Sequence, residues 1–149
     1  MTKATSRLLV IDASVARSAG ETEHPVSSAC RECLLKVLRI CHRVAVTEPI
    51  LEEWDRHISR FSRKWRRSMA ARRKPLRLVH PKAVAIDVGG LSHGQIDAIE
   101  KDRCLIEAAM AADHVIVTRD SALRDILAKS LLRSRYEINY HFQSHFVTA

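Results

Sequence analysis

Two stretches decide the fold, LLVID at Leu8–Asp12 and VIVTRD at Val115–Asp120. Each is a short apolar run that leads directly, or within three residues, to an aspartate. Uninterrupted apolar runs of this length are typical of strands covered on both faces, as in a parallel sheet enclosed by helices. Ligands of such sheets bind beyond the carboxyl ends of the strands. Asp12 and Asp120 occupy that end of both strands although they lie far apart in the chain. Either one alone could be a solvated loop residue or a helix cap. Their equivalent placement points to a shared site.

Outward from these strands, Val26–Ile40 carries Leu34, Val37 and Leu38 at helical spacing, and Val44–Val46 forms a second short strand. Thr47 is placed to cap a helix whose first turn holds Glu48 and Pro49. Its stripe of Ile50, Trp54, Ile58, Phe61 and Trp65 predicts one helix running on into an arginine-rich stretch. Leu76–Val79 is a weak third strand, with Val84–Val88 as an extension, and Gly89 and Gly90 mark a loop. His93–Ala112 predicts a single regular helix. Asp120 or Ser121 caps another that reaches about Leu132, and Tyr136–Phe142 alternates as a closing strand. Strands alternating with helices imply a three-layer α/β/α architecture with a mostly parallel central sheet. Without a repeat or a linker, residues 1–149 form one domain.

Composition agrees with a globular chain: 46% of its 149 residues are hydrophobic and 28% charged, with 4 Gly and 4 Pro. The few Gly and Pro and the lack of low-complexity tracts argue against extended disorder, and no apolar run approaches the roughly 20 residues a bilayer span needs. No leader-like apolar stretch follows Met1, so a cytoplasmic protein is expected. The 4 cysteines are then reduced thiols. Cys30, Cys33, Cys41 and His42 are poorly spaced for zinc because the first two fall within a helical pattern.

The net charge of +8 has one source. Between Arg56 and Arg77 lie ten Lys or Arg and no acid, and removing them from the 25 basic residues leaves 15 against 17 Asp and Glu. Arg56, Arg60, Arg63, Lys64, Arg66, Arg67, Arg72 and Arg73, interleaved with Phe61 and Trp65, suit a polyanion whose phosphates are held by cations and whose bases stack on aromatic faces. A solvated helix face or a docking patch for an acidic protein would carry the same charge pattern.

Two further acids complete the set. Asp102 interrupts the apolar stripe Ile99, Ile106 and Ala109, where a carboxylate must be ion-paired, for instance to Arg119, hydrogen-bonded or bound to a metal. Glu53 flanks the Ile50 and Trp54 stripe, whereas Glu52 projects nearer the solvent side. Carboxylates gathered in one crevice repel unless a cation neutralises them. An all-oxygen set suits Mg²⁺ or Mn²⁺, which can activate water and polarise a phosphodiester.

DASV at Asp12, TEPILEEW around Glu53, DRCLIEAAMAADHVIVTRD from Asp102 to Asp120 and the closing HFVT resemble the PIN domain, and more narrowly the toxin nucleases of the VapC type. The resemblance spans nearly the whole chain and is strongest from Asp102 to Asp120. It implies a Mg²⁺- or Mn²⁺-dependent endoribonuclease, with Asp12, Glu53, Asp102 and Asp120 as the catalytic and metal-holding quartet. It also implies that Ser14 orients a ligand or water and that Thr118 supports the site as the threonine of a T-x-D pattern. Asp125 is better read as a solvated helix acid. Toxins of this type pair with an antitoxin and form homodimers, so RNA, an antitoxin and a second copy are the implied partners.

The long basic segment leaves open a stand-alone RNA-processing protein or a non-catalytic RNA-binding module of the same fold. A phosphotransferase of the haloacid-dehalogenase or receiver type shares the strand-end aspartate. The former is disfavoured because Asp12-Ala13-Ser14 lacks a second aspartate, the latter because no lysine follows a later strand as expected.

Overall fold

A computed structural model describes residues 6–126 and 139–140. Its elements are β1 (Leu8–Ile11), α1 (Ala13–Ser18), α2 (Pro25–Arg39), β2 (Arg43–Val46), α3 (Glu48–His57), α4 (Arg60–Ala71), β3 (Pro75–Arg77), α5 (His93–Lys101), α6 (Arg103–Met110), β4 (Val115–Val117) and β5 (Asn139–Tyr140). A further helical stretch covers 121–126. The expected helix end near Leu132 and most of the Tyr136–Phe142 strand lie outside the described residues.

The strands form an open sheet in the order β3-β2-β1-β4-β5, with every neighbouring pair parallel. The chain leaves β1 for β2 and β3 on one side, then returns to place β4 on the other side of β1. Right-handed crossovers put the helices of the outward and return journeys over opposite faces, an arrangement compatible with three layers. The reversal between β1 and β4 is the topological switch point, where doubly wound sheets bind their ligands.

Burial explains why β1 and β4 are so apolar. Leu9, Val10 and Ile11 of β1, and Val115, Ile116 and Val117 of β4, are all buried. Leu34, Val37, Ile50, Trp54, Trp65, Ile99, Leu105 and Ile106 extend the same core from the helices. Val10 pairs with Ile116 and Ile11 with Val117, and the Asp12 amide donates to the Val117 carbonyl at 2.9 Å. This register brings Asp12 beside Thr118. No helix among the described residues is long and apolar enough to cross a membrane.

Local chemistry corrects several sequence expectations. The stripe from Ile50 to Trp65 belongs to two helices, because α3 ends at His57 and Ser59 starts α4 by accepting from the Ser62 amide at 3.1 Å. The break preserves the stripe: Trp54 and Trp65 meet edge to face at 5.8 Å. Thr47 precedes α3 without a side-chain cap, and its buried hydroxyl has no partner among the described residues. The His93–Ala112 segment likewise divides at Asp102. Strand β3 covers Pro75–Arg77, whereas residues 84–88 are neither helix nor strand.

Candidate active site

Asp12 is positioned by the β1–β4 register and by two hydroxyls. Ser14 Oγ donates to Asp12 Oδ2 at 2.7 Å, and Thr118 Oγ1 donates to the same oxygen at 2.8 Å. The Asp12 carboxylate does not cap α1, so the capping alternative fails for this residue. The hydroxyls are themselves held in place: the Arg119 amide donates to Ser14 Oγ at 3.2 Å and the Asp120 amide to Thr118 Oγ1 at 3.1 Å. This small lattice ties the end of β4 to the first turn of α1.

Asp120 is both a cap and a lining residue. Its Oδ1 accepts from the Leu123 amide at 2.9 Å, closing the first turn of the 121–126 helix, and its side chain borders the same cleft as Asp12. Asp102 reaches the cleft from the junction of α5 and α6, with φ −103° and ψ 13°, in the sparsely populated bridge region. Its carbonyl accepts from the Leu105 and Ile106 amides, which starts α6 and leaves the carboxyl free of any capping role. No bond to Arg119 forms, because the Arg119 guanidinium donates to Ser18 Oγ at 2.5 Å. Burial is the largest influence on the Asp102 carboxyl, followed by the negative charge of Asp12. Against the opposing pull of Lys101, and with Asp120 and Glu53 adding to the effect, its pKa is pushed up to about 6.

Glu53 comes from α3 and borders the cleft as expected, while Glu52 does not line it. Its carboxylate is engaged: Arg56 Nη1 approaches Oε1 at 3.0 Å and His57 Nε2 lies 3.7 Å from Oε2. Asp12, Glu53, Asp102 and Asp120 thus face one open cleft of about 380 Å³. Inward, between Asp12, Glu53 and Asp102, the surface narrows to a recess of about 60 Å³ against Trp54, Cys104 and Leu105. Among the described residues, no three His, Cys, Asp or Glu side chains close on a point as a metal-ligand group. The all-oxygen donor set, and the upward push its members exert on Asp102, fit a hard divalent cation.

The cleft also contains Arg17, His57 and Lys101, which sequence reasoning passed over, and Arg119, which it weighed only as a partner for Asp102. The acids are thus bordered by cations. Cys104 lines the recess, and burial followed by the Asp102 charge raises its thiol pKa. Arg17 lies on the helix that opens at Asp12, and Arg119 directly precedes Asp120, so their closeness to the acids was available as sequence adjacency. Nothing in the spacing marks Cys104. Asp125 is exposed beside Arg124, 3.5 Å away, as expected of a solvated acid.

The basic segment is not a uniform strip. Arg56 pairs with Glu53 and, at 3.9 Å, with Glu52. Arg66 bonds Asp55 and stands over the Trp54 ring at 5.9 Å. Arg72 and Lys74 donate to carbonyls at the end of α2, at 2.9 Å to Leu38 and 2.6 Å to Val37, and Arg77 pairs with Glu48. Arg73 turns the chain after α4 with a left-handed φ of 53°. Arg60, Arg63, Lys64 and Arg67 remain exposed along α4. Of the interleaved aromatics, Trp65 is closed to base stacking and Phe61 is half-buried. Trp65 is buried and its Nε1 donates to the Leu34 carbonyl at 2.7 Å, and Phe61 packs against the core. The four cysteines are free thiols, with Cys30 buried and Cys41 exposed.

No protein-family model, curated protein or solved structure matches the chain.

Proposed function

We propose that the protein is a Mg²⁺- or Mn²⁺-dependent endoribonuclease of PIN-like fold that hydrolyses phosphodiester bonds in RNA. One observation carries this reading. Four acids from four separate parts of the chain border one cleft at the switch point, and three of them raise the carboxyl pKa of the fourth. Such a cluster is costly to keep without a cation, and perturbed carboxyls in a cleft mark functional sites.

Asp12, Asp102 and Asp120 would hold the cation directly, and Glu53 directly or through water. Bound there, it would supply Lewis-acid polarisation of the phosphodiester and activation of a water. The remaining roles belong to the chain. Ser14 and Thr118 fix one oxygen of Asp12 and so aim the other at the cleft. The Leu123 amide fixes Asp120 in the same way. Arg17 and Arg119 bring positive charge to the rim, where a phosphate entering the cleft needs it. Glu53 joins the site by exchanging its contacts with Arg56 and His57.

A toxin role, with an antitoxin partner and a homodimer in the cytoplasm, belongs to the same proposal and rests on the sequence resemblance. A second reading, a non-catalytic RNA-binding or RNA-processing module, is favoured by the engagement of Glu53 with Arg56 and His57. RNA incubated with wild-type protein and Mn²⁺ separates the two readings. Cleavage by the wild type that is lost in Asp12→Asn and in EDTA is the expected result. Equal cleavage by both proteins rejects the site, and RNA binding without cleavage selects the second reading.

A further inference from the structure

We infer that α4 carries a separate track for the RNA strand, formed by Arg60, Arg63, Lys64 and Arg67, which leads away from the carboxylate cleft. The four fall at the i, i+3, i+4 and i+7 spacing that shares one helix face. They line an open groove of about 830 Å³ that also includes Ile58 and Asp55. Among the described residues, the side chains of Arg60, Arg63 and Arg67 have no hydrogen bond or ion pair. Lys64 has only an exposed contact with Glu21 at 3.7 Å. Asp55, the acid in the groove, is already matched by Arg66. The free charge of the groove is therefore positive, and its occupant is an anion.

The place of the groove identifies that anion as a polymer extending from the cleft. His57 borders the cleft and the next residue, Ile58, borders the groove. Helix α4 is fastened to α1 by Ser59 Oγ, which donates to the Ala19 carbonyl, and by Ser62 Oγ, which donates to the Ala16 carbonyl at 2.6 Å. Arg17, between those two carbonyl residues, lines the cleft. A strand with one phosphate among the carboxylates would thus pass Arg17 and His57 onto α4. From Arg60 to Arg67 the helix advances about 10 Å, the span of about three stacked phosphates. With Trp65 buried beneath this face, recognition is through the backbone and indifferent to sequence.

The identity of the polymer rests on the ribonuclease reading, but the test needs no turnover. Fluorescence anisotropy of a labelled 12-nucleotide oligouridylate is measured in EDTA across a salt series. The proteins are wild type, Arg60→Gln/Arg63→Gln/Lys64→Gln/Arg67→Gln, Arg63→Gln/Arg67→Gln, and the charge-matched control Arg77→Gln/Lys82→Gln. Each lost phosphate contact should lower the slope of log K against log salt by about 0.7. The fourfold variant is therefore expected to lose about 3 from the slope and at least tenfold in affinity at low salt. The Arg63/Arg67 variant should lose about half of the slope change, and the control little. Equal losses in the two double variants would mean that only total charge matters and would overturn the track. So would oligoglutamate of equal charge competing as well as unlabelled oligouridylate, which would assign the face to an acidic protein. Binding through α4 by a protein that never cuts RNA would leave the track standing and sink only the nuclease.

Discussion

Asp102 is where the electrostatic cost of the cleft is concentrated. Its carboxyl is raised from about 3.8 in the unfolded chain to about 6 in the fold, by burial first and then by Asp12. Between those values the folded state binds more protons than the unfolded state, so stability falls as pH rises through the window. Stability associated with this group is therefore fully present below its unfolded pKa and lost once pH passes about 6. Asp102→Asn removes the charge and keeps the shape. Its melting temperature is expected to exceed the wild type's by several degrees at pH 7.5 in EDTA, with the difference disappearing near pH 4. A variant no more stable than wild type at pH 7.5 would show that neither burial nor the neighbouring acids raise the Asp102 carboxyl.

At this scale Asp12 and Asp120 were legible because apolar runs end at them, and Asp102 because it breaks an apolar stripe. Glu53 was separable from Glu52 by helical phase alone. The contact of Glu53 with Arg56 and His57 was not legible, since i, i+3 and i, i+4 partners are common on any charged helix and only side-chain conformation decides among them.

Two of the long helices read from the sequence are broken, while the one read over Val26–Ile40 runs whole as α2, and each break has a function in the fold. Periodicity reports which residues face the core and cannot detect a bend that keeps them facing it. At Ser59 the chain turns so that Trp54 and Trp65 pack against each other while α4 lies against α2 and bonds α1 through Ser62. At Asp102 the turn frees the carboxyl from the stripe and delivers it to the cleft. The aromatic residues of the basic segment show the same limit of pattern: interleaving with arginine resembles a base-stacking surface, yet Trp65 is buried with its indole N–H on the Leu34 carbonyl and Phe61 packs half-buried against the core. Trp65→Phe keeps much of the ring volume and leaves the Leu34 carbonyl without this donor. It is expected to cost about 1–3 kcal/mol of stability while leaving oligouridylate affinity unchanged below the melting transition. Weakened RNA binding by folded Trp65→Phe would return the ring to the interface.

For the whole molecule, the parallel sheet was legible because β1, β2 and β4 are buried and correspondingly apolar. The three-residue β3 carried a weak signal, and its edge position tolerates Pro75 at the start of the strand. The central place of β1 was legible from an apolar run that needs cover on both faces, whereas the order of the other strands was only limited by the alternation of strands and helices. The order found here sets β1 beside β4 and so turns two distant strand-end aspartates into neighbours of one cleft. The unpaired basic residues of α4 and the four acids line two different clefts, which meet in sequence at His57 and Ile58.

Anomalous scattering from a crystal of the wild-type protein soaked in millimolar Mn²⁺ tests the shared cation site most directly. A peak bounded by Asp12, Asp102 and Asp120, at about 2.0–2.2 Å from their oxygens, with Glu53 turned away from Arg56 toward it, is the predicted result. A cleft with no peak, while Mn²⁺ is seen elsewhere on the molecule, would contradict it.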